Sequence, residues 1–338
     1  MPLFLFLTCF TKTALKQELG LPLRQETGPD SSGRILLSAP ACFDQFVKFA
    51  QDLYFSCMKP IITPQELLGL SQQPHLVLVD ARTGPQAATQ FMAEHLAHAV
   101  YVDLEKDLAA VPDNAAHGGR HPLPPVEAFA ALLGQRGISP ETHVVVYDDK
   151  GGANAAARFW WMLKAAGHTQ VQVLSGGIQA ALTAGFPTGH GPATSTALPS
   201  YPFTQWQLAT ADLEETAQAS QDPHRLVIDV RDAYRYLGES EPIDPVAGHI
   251  PGAVNVPLTE NLQENGQFQS PEALAEKYQS LLGDVPPEQV IVHCGSGVTA
   301  CHTLLALESA GLTGAKLYVG SWSEWCRNGK PMAVGEEK

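Results

Sequence analysis

Six cysteines offer nucleophilic or redox chemistry, Cys9, Cys42, Cys57, Cys294, Cys301 and Cys326, and one of them stands in a setting that would activate it. The run VIVHC (290–294) reads as a buried strand that delivers Cys294 to its end. Gly295, Ser296, Gly297, Val298 and Thr299 follow directly, ahead of a helical stretch over 298–310. Glycines in such a turn let successive backbone N–H groups curl inward as an anion-binding nest, and the helix N-terminus adds about half a positive charge. A thiolate is favoured there. The plain alternative for Cys294 is a small buried hydrophobe at a strand end, the common fate of a free cysteine. A core cysteine, however, has no need of a Gly-Ser-Gly-Val-Thr turn behind it. The cysteines form no CxxC pair and no regular spacing, which argues against a disulfide framework or a zinc site. No metal and no cofactor is expected, and a reducing, cytoplasmic compartment fits.

The elements that carry this loop occur twice. HLVLVDAR (75–82) is echoed by RLVIDVRD (225–232), HLAHAVYVDL (95–104) by HIPGAVNVPL (249–258), and VVVYD (144–148) by VIVHC (290–294), each pair roughly 150 residues apart. A helical stretch follows each last member, 153–166 and 298–310, closed by Gly167 or Gly311. β-branched runs alternating with helices indicate an α/β protein in which each half is a parallel sheet flanked by helices. The first half carries Asp148 where the second carries Cys294, so one half reacts and the other supports it. Residues 58–186 and 205–335 read as the two domains. The segment 187–204, rich in Pro, Gly, Ser and Thr, reads as their linker, without apolar periodicity to bury. Residues 1–57 read as an N-terminal extension, either disordered or a mispredicted start. Its opening MPLFLFLTCF resembles a signal-peptide core but has no preceding positive charge. At 338 residues and 44% hydrophobic content the chain can bury two ordinary cores. Its net charge of -14, unbroken by a Lys/Arg cluster, excludes nucleic acid and anionic membrane as expected partners.

CGSGVTA (294–300), GHIPGAVN (248–255) and LYVGSWSEW (317–325) together resemble the tandem rhodanese sulfurtransferases over about residues 60–335. The resemblance implies two rhodanese-like domains and sulfur transfer through a persulfide on Cys294, with Gly295, Gly297, Val298 and Thr299 around the donor. The Gly-Ser pair after the cysteine is similar to that of 3-mercaptopyruvate sulfurtransferases, whereas thiosulfate sulfurtransferases carry basic residues there. Charge gives a reason, because a dianion favours cations beside the thiol and a monocarboxylate can be held by a more distant arginine. The same resemblance implies that Arg235 holds the donor's anionic group; the alternative is a solvated surface arginine. A second arginine common before HIPG is missing from 241–252. It further implies a relay of Ser296, His121 and Glu105 across the domain cleft, polarising Ser296 toward the donor carbonyl. Glu105 replaces the usual Asp, and a plain surface histidine is the alternative for His121. Trp160, Trp161, Trp322 and Trp325 are expected at element ends, with Trp322 the pocket residue, and Cys301 is expected to face the core.

Three other functions compete. A cysteine phosphatase on this fold needs an arginine six positions after the nucleophile, where this chain has Ala300. A thiosulfate-specific transferase is disfavoured by the uncharged loop. A persulfide carrier would use the same cysteine loop to load a protein partner. The expected partners are a small-molecule sulfur donor and a thiol, cyanide or thioredoxin-like acceptor.

Overall fold

The computed structural model describes residues 58–336 apart from 72, 193 and 194. The expectations for residues 1–57, with Cys9, Cys42 and Cys57, lie outside the described residues.

The first half begins with β1 (Ile61–Ile62) and α1 (Pro64–Leu70), whose start is written in the sequence. Thr63 Oγ1 accepts from the Glu66 N–H at 3.2 Å, the Glu66 carboxylate accepts from the Thr63 N–H at 2.9 Å, and Pro64 occupies the first turn, where its missing N–H costs nothing. There follow β2 (Leu76–Asp80), α2 (Ala87–Ala93), β3 (His95–Leu96), β4 (Val100–Tyr101), α3 (Leu104–Asp107), α4 (Val126–Gln135), β5 (His143–Tyr147), α5 (Ala155–Ala165), β6 (Val171–Leu174), α6 (Gly177–Thr183) and β7 (Thr188–Gly189). The second half runs through β8 (Thr210–Ala211), α7 (Leu213–Ala219), β9 (Leu226–Asp229), α8 (Ala233–Tyr236), β10 (Val254–Asn255), α9 (Pro271–Leu282), β11 (Val290–His293), α10 (Ala300–Ser309), β12 (Lys316–Tyr318) and α11 (Ser321–Trp325).

The expected fold class is borne out as two parallel sheets flanked by helices. The first sheet has the order β1-β6-β5-β2-β4 and the second β8-β12-β11-β9-β10, which is the same order of equivalent strands. All pairs within both are parallel. The duplication extends to single hydrogen bonds. Asp80 at the end of β2 is neutralised by Arg82, whose Nη2 lies 2.7 Å from the carboxylate and also donates to Glu94 O. In the second half Arg231 Nη2 lies 2.6 Å from Asp229 and donates to Gly248 O. Both carboxylates are fully buried, and a buried anion persists only with such a partner.

One core runs through both halves. α5 packs against α10, and Phe159, Trp161, Leu304 and Leu305 belong to the same buried cluster as Val146 and Val292 on the central strands. Each fully buried side chain of this size contributes roughly 1.5–3 kcal/mol of transfer free energy. Gly167 and Gly311 take left-handed φ values of 85° and 77° just beyond these helices and stop them. Trp160 and Trp161 lie in the middle of α5 rather than at element ends, buried on a helix that is covered on nearly every side.

The connecting segment is more tightly held than its composition suggests. β7 pairs antiparallel with β3, Leu198 N–H donates to Gly134 O at 2.9 Å, and Tyr201 N–H to Ala130 O at 3.0 Å. A side chain on Gly134 would collide with the Leu198 and Pro199 carbonyls. Tyr201 is buried with its hydroxyl 2.9 Å from His168 Nδ1. Backbone bonds and a few aromatic anchors fasten the strap without any periodic apolar pattern, which is why composition alone presents it as free.

Candidate active site

β11 is buried along its length and ends at Cys294, itself 1% exposed. Two segments hold the loop behind it. From α11 and the turn before it, Ser321 Oγ accepts from the Cys294 N–H at 3.2 Å, while the Trp322 and Ser323 N–H groups donate to the carbonyls of Cys294 and Gly295 at 3.0 and 2.8 Å. From the first domain, Arg158 on α5 donates Nη1 to Gly297 O at 3.1 Å and Nη2 to His121 O at 3.0 Å. Gly297 has a φ of +74°, with no room for a Cβ against Val319 O, and its N–H points at Cys294 Sγ from 3.1 Å. Only this one of the two loop glycines is left-handed. Gly295 leaves room for two guanidinium groups, since a Cβ there would lie 3.0 Å from Arg120 Nη2 and 3.4 Å from Arg235 Nη2. The equivalent first-domain loop is a fully formed nest already filled from within: the Asp148 carboxylate accepts from the N–H groups of Lys150, Gly152, Asn154 and Ala156 at 2.8 to 3.3 Å.

First-domain residues reach the site through a stitched seam. Gly118 N–H donates to Glu324 at 2.8 Å, Arg120 N–H to Ser323 Oγ at 3.0 Å, and Asn328 Nδ2 to Ala116 O at 2.9 Å. Gly119 sits directly on the Gly320 carbonyl. His121 is thereby pressed into the cleft. Its Nδ1 lies 2.7 Å from Ser296 Oγ and its Nε2 2.9 Å from Glu105 Oε1 on α3. Burial lowers the His121 pKa below its usual value, and the repulsion of Arg120 and Arg158 adds to this; the Glu105 contact opposes them without prevailing. The ring is therefore neutral at pH 7. Glu105 remains largely solvent-exposed, so its charge is screened and its contact with the neutral ring is a hydrogen bond.

Arg235 on α8 is 12% exposed, and its role is constrained by a neighbour. Its Nε and Nη2 donate to the two oxygens of Glu241 at 3.0 and 2.7 Å. Burial alone would raise the Glu241 pKa, but the hydrogen bonds from Arg235 and from the Asp244 and Ile243 N–H groups bring it down. Half of the Arg235 fork is thus committed, and Nη1 remains for a ligand. A cavity of about 140 Å³ lies between the domains, lined by Cys294, Gly295, Ser296, Val298, Thr299 and Arg235 with His121, Arg120 and Asn154 opposite. It suits a molecule smaller than those that fill sites of roughly 300–1,000 Å³.

The structure therefore brings Cys294, Ser296, His121, Glu105, Arg235, Gly295, Gly297, Val298 and Thr299 into one place. Trp322 is not among them. It is fully buried beneath Arg231, whose guanidinium lies 4.6 Å from the ring centroid, and its Nε1 donates to Val246 O. It is a scaffold residue, because the turn after β12 directs it under the loop. Cys301 faces the core as expected, and burial pushes its thiol up to about 12 despite the nearby Arg158. Sequence reasoning missed Arg120, Arg158, Glu241 and Asp244. The signal for Arg120 was its place directly before His121 in GGRHPLP; the other three carry no local signal. Among the described residues no helix is long and apolar enough to cross a membrane, and no group of His, Cys, Asp and Glu could hold a metal ion.

The rhodanese-like domain model matches residues 63–184 and again 212–328. A Pseudomonas aeruginosa protein named "Probable 3-mercaptopyruvate sulfurtransferase" is 38% identical over 284 residues, 82% of this chain and 98% of its own length. The thiosulfate sulfurtransferase of Rattus norvegicus is 35% identical over 73% of this chain and 82% of its own length. Among solved structures, the 3-mercaptopyruvate sulfurtransferase of Leishmania major superposes with a TM-score of 0.68 at 31% identity, over 79% of this chain and 74% of that one. By its two matched domains, its duplicated sheets and these relatives, the chain belongs to the rhodanese family.

Proposed function

We propose that this sulfurtransferase takes sulfur from 3-mercaptopyruvate onto Cys294 as a persulfide and passes it to a thiol or cyanide acceptor. The observation that carries the reading is the hydrogen-bonded line Glu105, His121, Ser296, which crosses the domain boundary and ends in the small cavity that holds Cys294 and Arg235. Arg235 Nη1 takes the donor carboxylate. The Cys294 thiolate attacks the donor sulfur, a new S–S bond forms, and the C–S bond breaks with its electron pair going to the enolate of pyruvate. The proton lost by the donor sulfur has to reach that enolate. With Nε2–H donated to Glu105, neutral His121 accepts the Ser296 hydroxyl at Nδ1, so Ser296 takes the thiol proton as its own passes to His121. The imidazolium, offset by Glu105, returns a proton through Ser296 to the enolate, and pyruvate leaves. An acceptor then attacks the outer sulfur, and the Cys294 thiolate departs. The Gly297 N–H stabilises that anion in both half-reactions.

Thiosulfate is the second donor to consider, since the rat relative bears its name. Mass spectrometry after exposure to each donor tests the reading. Mercaptopyruvate should add one sulfur, about 32 mass units, to Cys294 with one pyruvate released, and Cys294→Ser should abolish both. Labelling retained on that variant would refute Cys294 as the acceptor. Labelling without steady-state turnover of small acceptors would make the protein a carrier for a protein partner.

A further inference from the structure

Three arginines are buried among the described residues, and two of them are neutralised by an aspartate, Arg82 by Asp80 and Arg231 by Asp229. Arg158 on α5 is the third. It is fully buried and, among the described residues, pairs with no carboxylate. Its Nη1 and Nη2 donate to the carbonyls of Gly297 and His121, Leu108 O lies 3.5 Å from Nη2, and Nε has no hydrogen-bond partner. Carbonyls offer dipoles but no net charge, and a guanidinium keeps its proton inside a protein. Such an ion is costly to bury unless an anion stands near it.

The acids that act on Arg158 are two thiols, those of Cys301 and Cys294. Cys301 on α10 donates to Gly297 O at 3.5 Å, and burial keeps it protonated. Among the described residues Cys294 is thus left as the acid that can bring a negative charge to Arg158. Other ionisable groups face Cys294, and each of them is already matched or neutral. Arg120 and Arg235 line its cavity but are held by Asp244 and Glu241. Arg231, just beyond β9, also acts on it but is held by Asp229. Burial keeps His121 and His293 neutral.

We propose that Arg158 is a positioning residue whose unmatched charge is balanced by the anion on Cys294, a thiolate before sulfur uptake and a persulfide after it. The inference rests on the reading of Cys294 as the sulfur acceptor. Arg158 belongs to the first domain, so the charge that favours the second domain's thiolate comes from across the boundary. The same guanidinium also aligns the site. Gly297 presents its N–H to Cys294 Sγ and its carbonyl to Arg158, and the other Nη group fixes the backbone of His121.

Alkylation by uncharged iodoacetamide, followed on the Cys294 peptide by mass spectrometry, reads the thiolate with no sulfur donor present. Arg158→Met removes the charge and keeps most of the volume. At pH 7 this variant should alkylate roughly ten- to a hundredfold more slowly than the wild type, and the two rates should meet above about pH 10, where any thiol is ionised. Arg158→Lys, which keeps a charge but loses the fork, should recover part of the pH 7 loss. Equal rates at pH 7 in the wild type and Arg158→Met overturn the proposal. So does a slowing that is the same in both variants at every pH, the result expected if Arg158 only holds the loop in shape. Should Arg158→Met fail to fold, Arg158→Lys decides alone: a deficit that closes at high pH supports the charge balance, and one that persists there overturns it. The donor reading is tested separately. If the alkylation results hold but mercaptopyruvate adds no sulfur to wild-type Cys294, the charge balance stands and the donor reading falls.

Discussion

Replacing Arg235 with alanine separates donor binding from sulfur chemistry, and its magnitude follows from what the side chain touches. Three effects arise. The donor loses one charge-assisted hydrogen bond from Nη1, worth about 1.5–3 kcal/mol, or roughly ten- to a hundredfold in affinity. The lower end is expected, because Glu241 already offsets the Arg235 charge. Glu241 loses two hydrogen bonds but is not orphaned, since Arg231 Nη1 at 3.3 Å and the N–H groups of Ile243 and Asp244 at 3.1 and 3.2 Å remain. Destabilisation of about 1–3 kcal/mol should follow, small enough to leave a folded enzyme. The cysteine loop itself is untouched, because its hydrogen bonds come from Ser321, Trp322, Ser323 and Arg158. The assay compares mercaptopyruvate kcat/KM with the rate at which preformed persulfide discharges to 2-mercaptoethanol. A loss confined to the first is expected. Equal losses would mean that the loop has collapsed, and no loss in either would refute Arg235 as an anchor. Arg235→Lys should recover less here than at a site with an open fork, because an ammonium cannot bind Glu241 on one side and present Nη1 on the other.

The remaining predictions concern titration and the second thiol. With the His121 pKa lowered by burial, neutral His121 persists through pH 7, and mercaptopyruvate kcat/KM should fall only as pH drops below about 6.5. His121→Gln should cut the rate about 10²- to 10⁴-fold and remove that acid limb; a limb that survives in the variant belongs to another group. Stability should show its own pH dependence through His168, which burial holds at about 4 in the folded state. The unfolded chain takes up this proton near pH 6.5 and the folded one does not, so stability is full above 6.5 and declines towards pH 4 by an amount on the order of 3 kcal/mol. Denaturant melts of His168→Gln should be flatter over this window, and an identical slope would contradict the assignment. Cys301→Ala should keep turnover near that of the wild type, checked by steady-state rates, because a thiol shifted to about 12 stays protonated.

Much of this protein is local and therefore readable along the chain. Apolar runs ending in Asp80 and Asp229, glycines after α5 and α10, and the Gly-Ser-Gly turn behind Cys294 depend on neighbours a few residues away. They determined the duplicated α/β fold and the position of the Cys294 loop. The nucleophile proposed for Cys294 is likewise read from one strand end and the turn after it. What the tertiary structure decided involves residues far apart in sequence and competition between side chains. His121 meets Ser296 across 175 positions only because α5 packs on α10 and Gly118 to Arg120 dock on the α11 turn. Arg120 in GGRHPLP reads as an ordinary polar residue until that docking swings it over Gly295. Arg235 was legible as a cation after a strand, but the engagement of half its fork by Glu241 was not, since hydrogen bonds are shared out by geometry rather than by spacing. The strap over 187–204 reads as a free linker for the same reason. Its anchors are single contacts to Gly134, Ala130 and His168, and isolated long-range contacts leave no periodicity in a sequence.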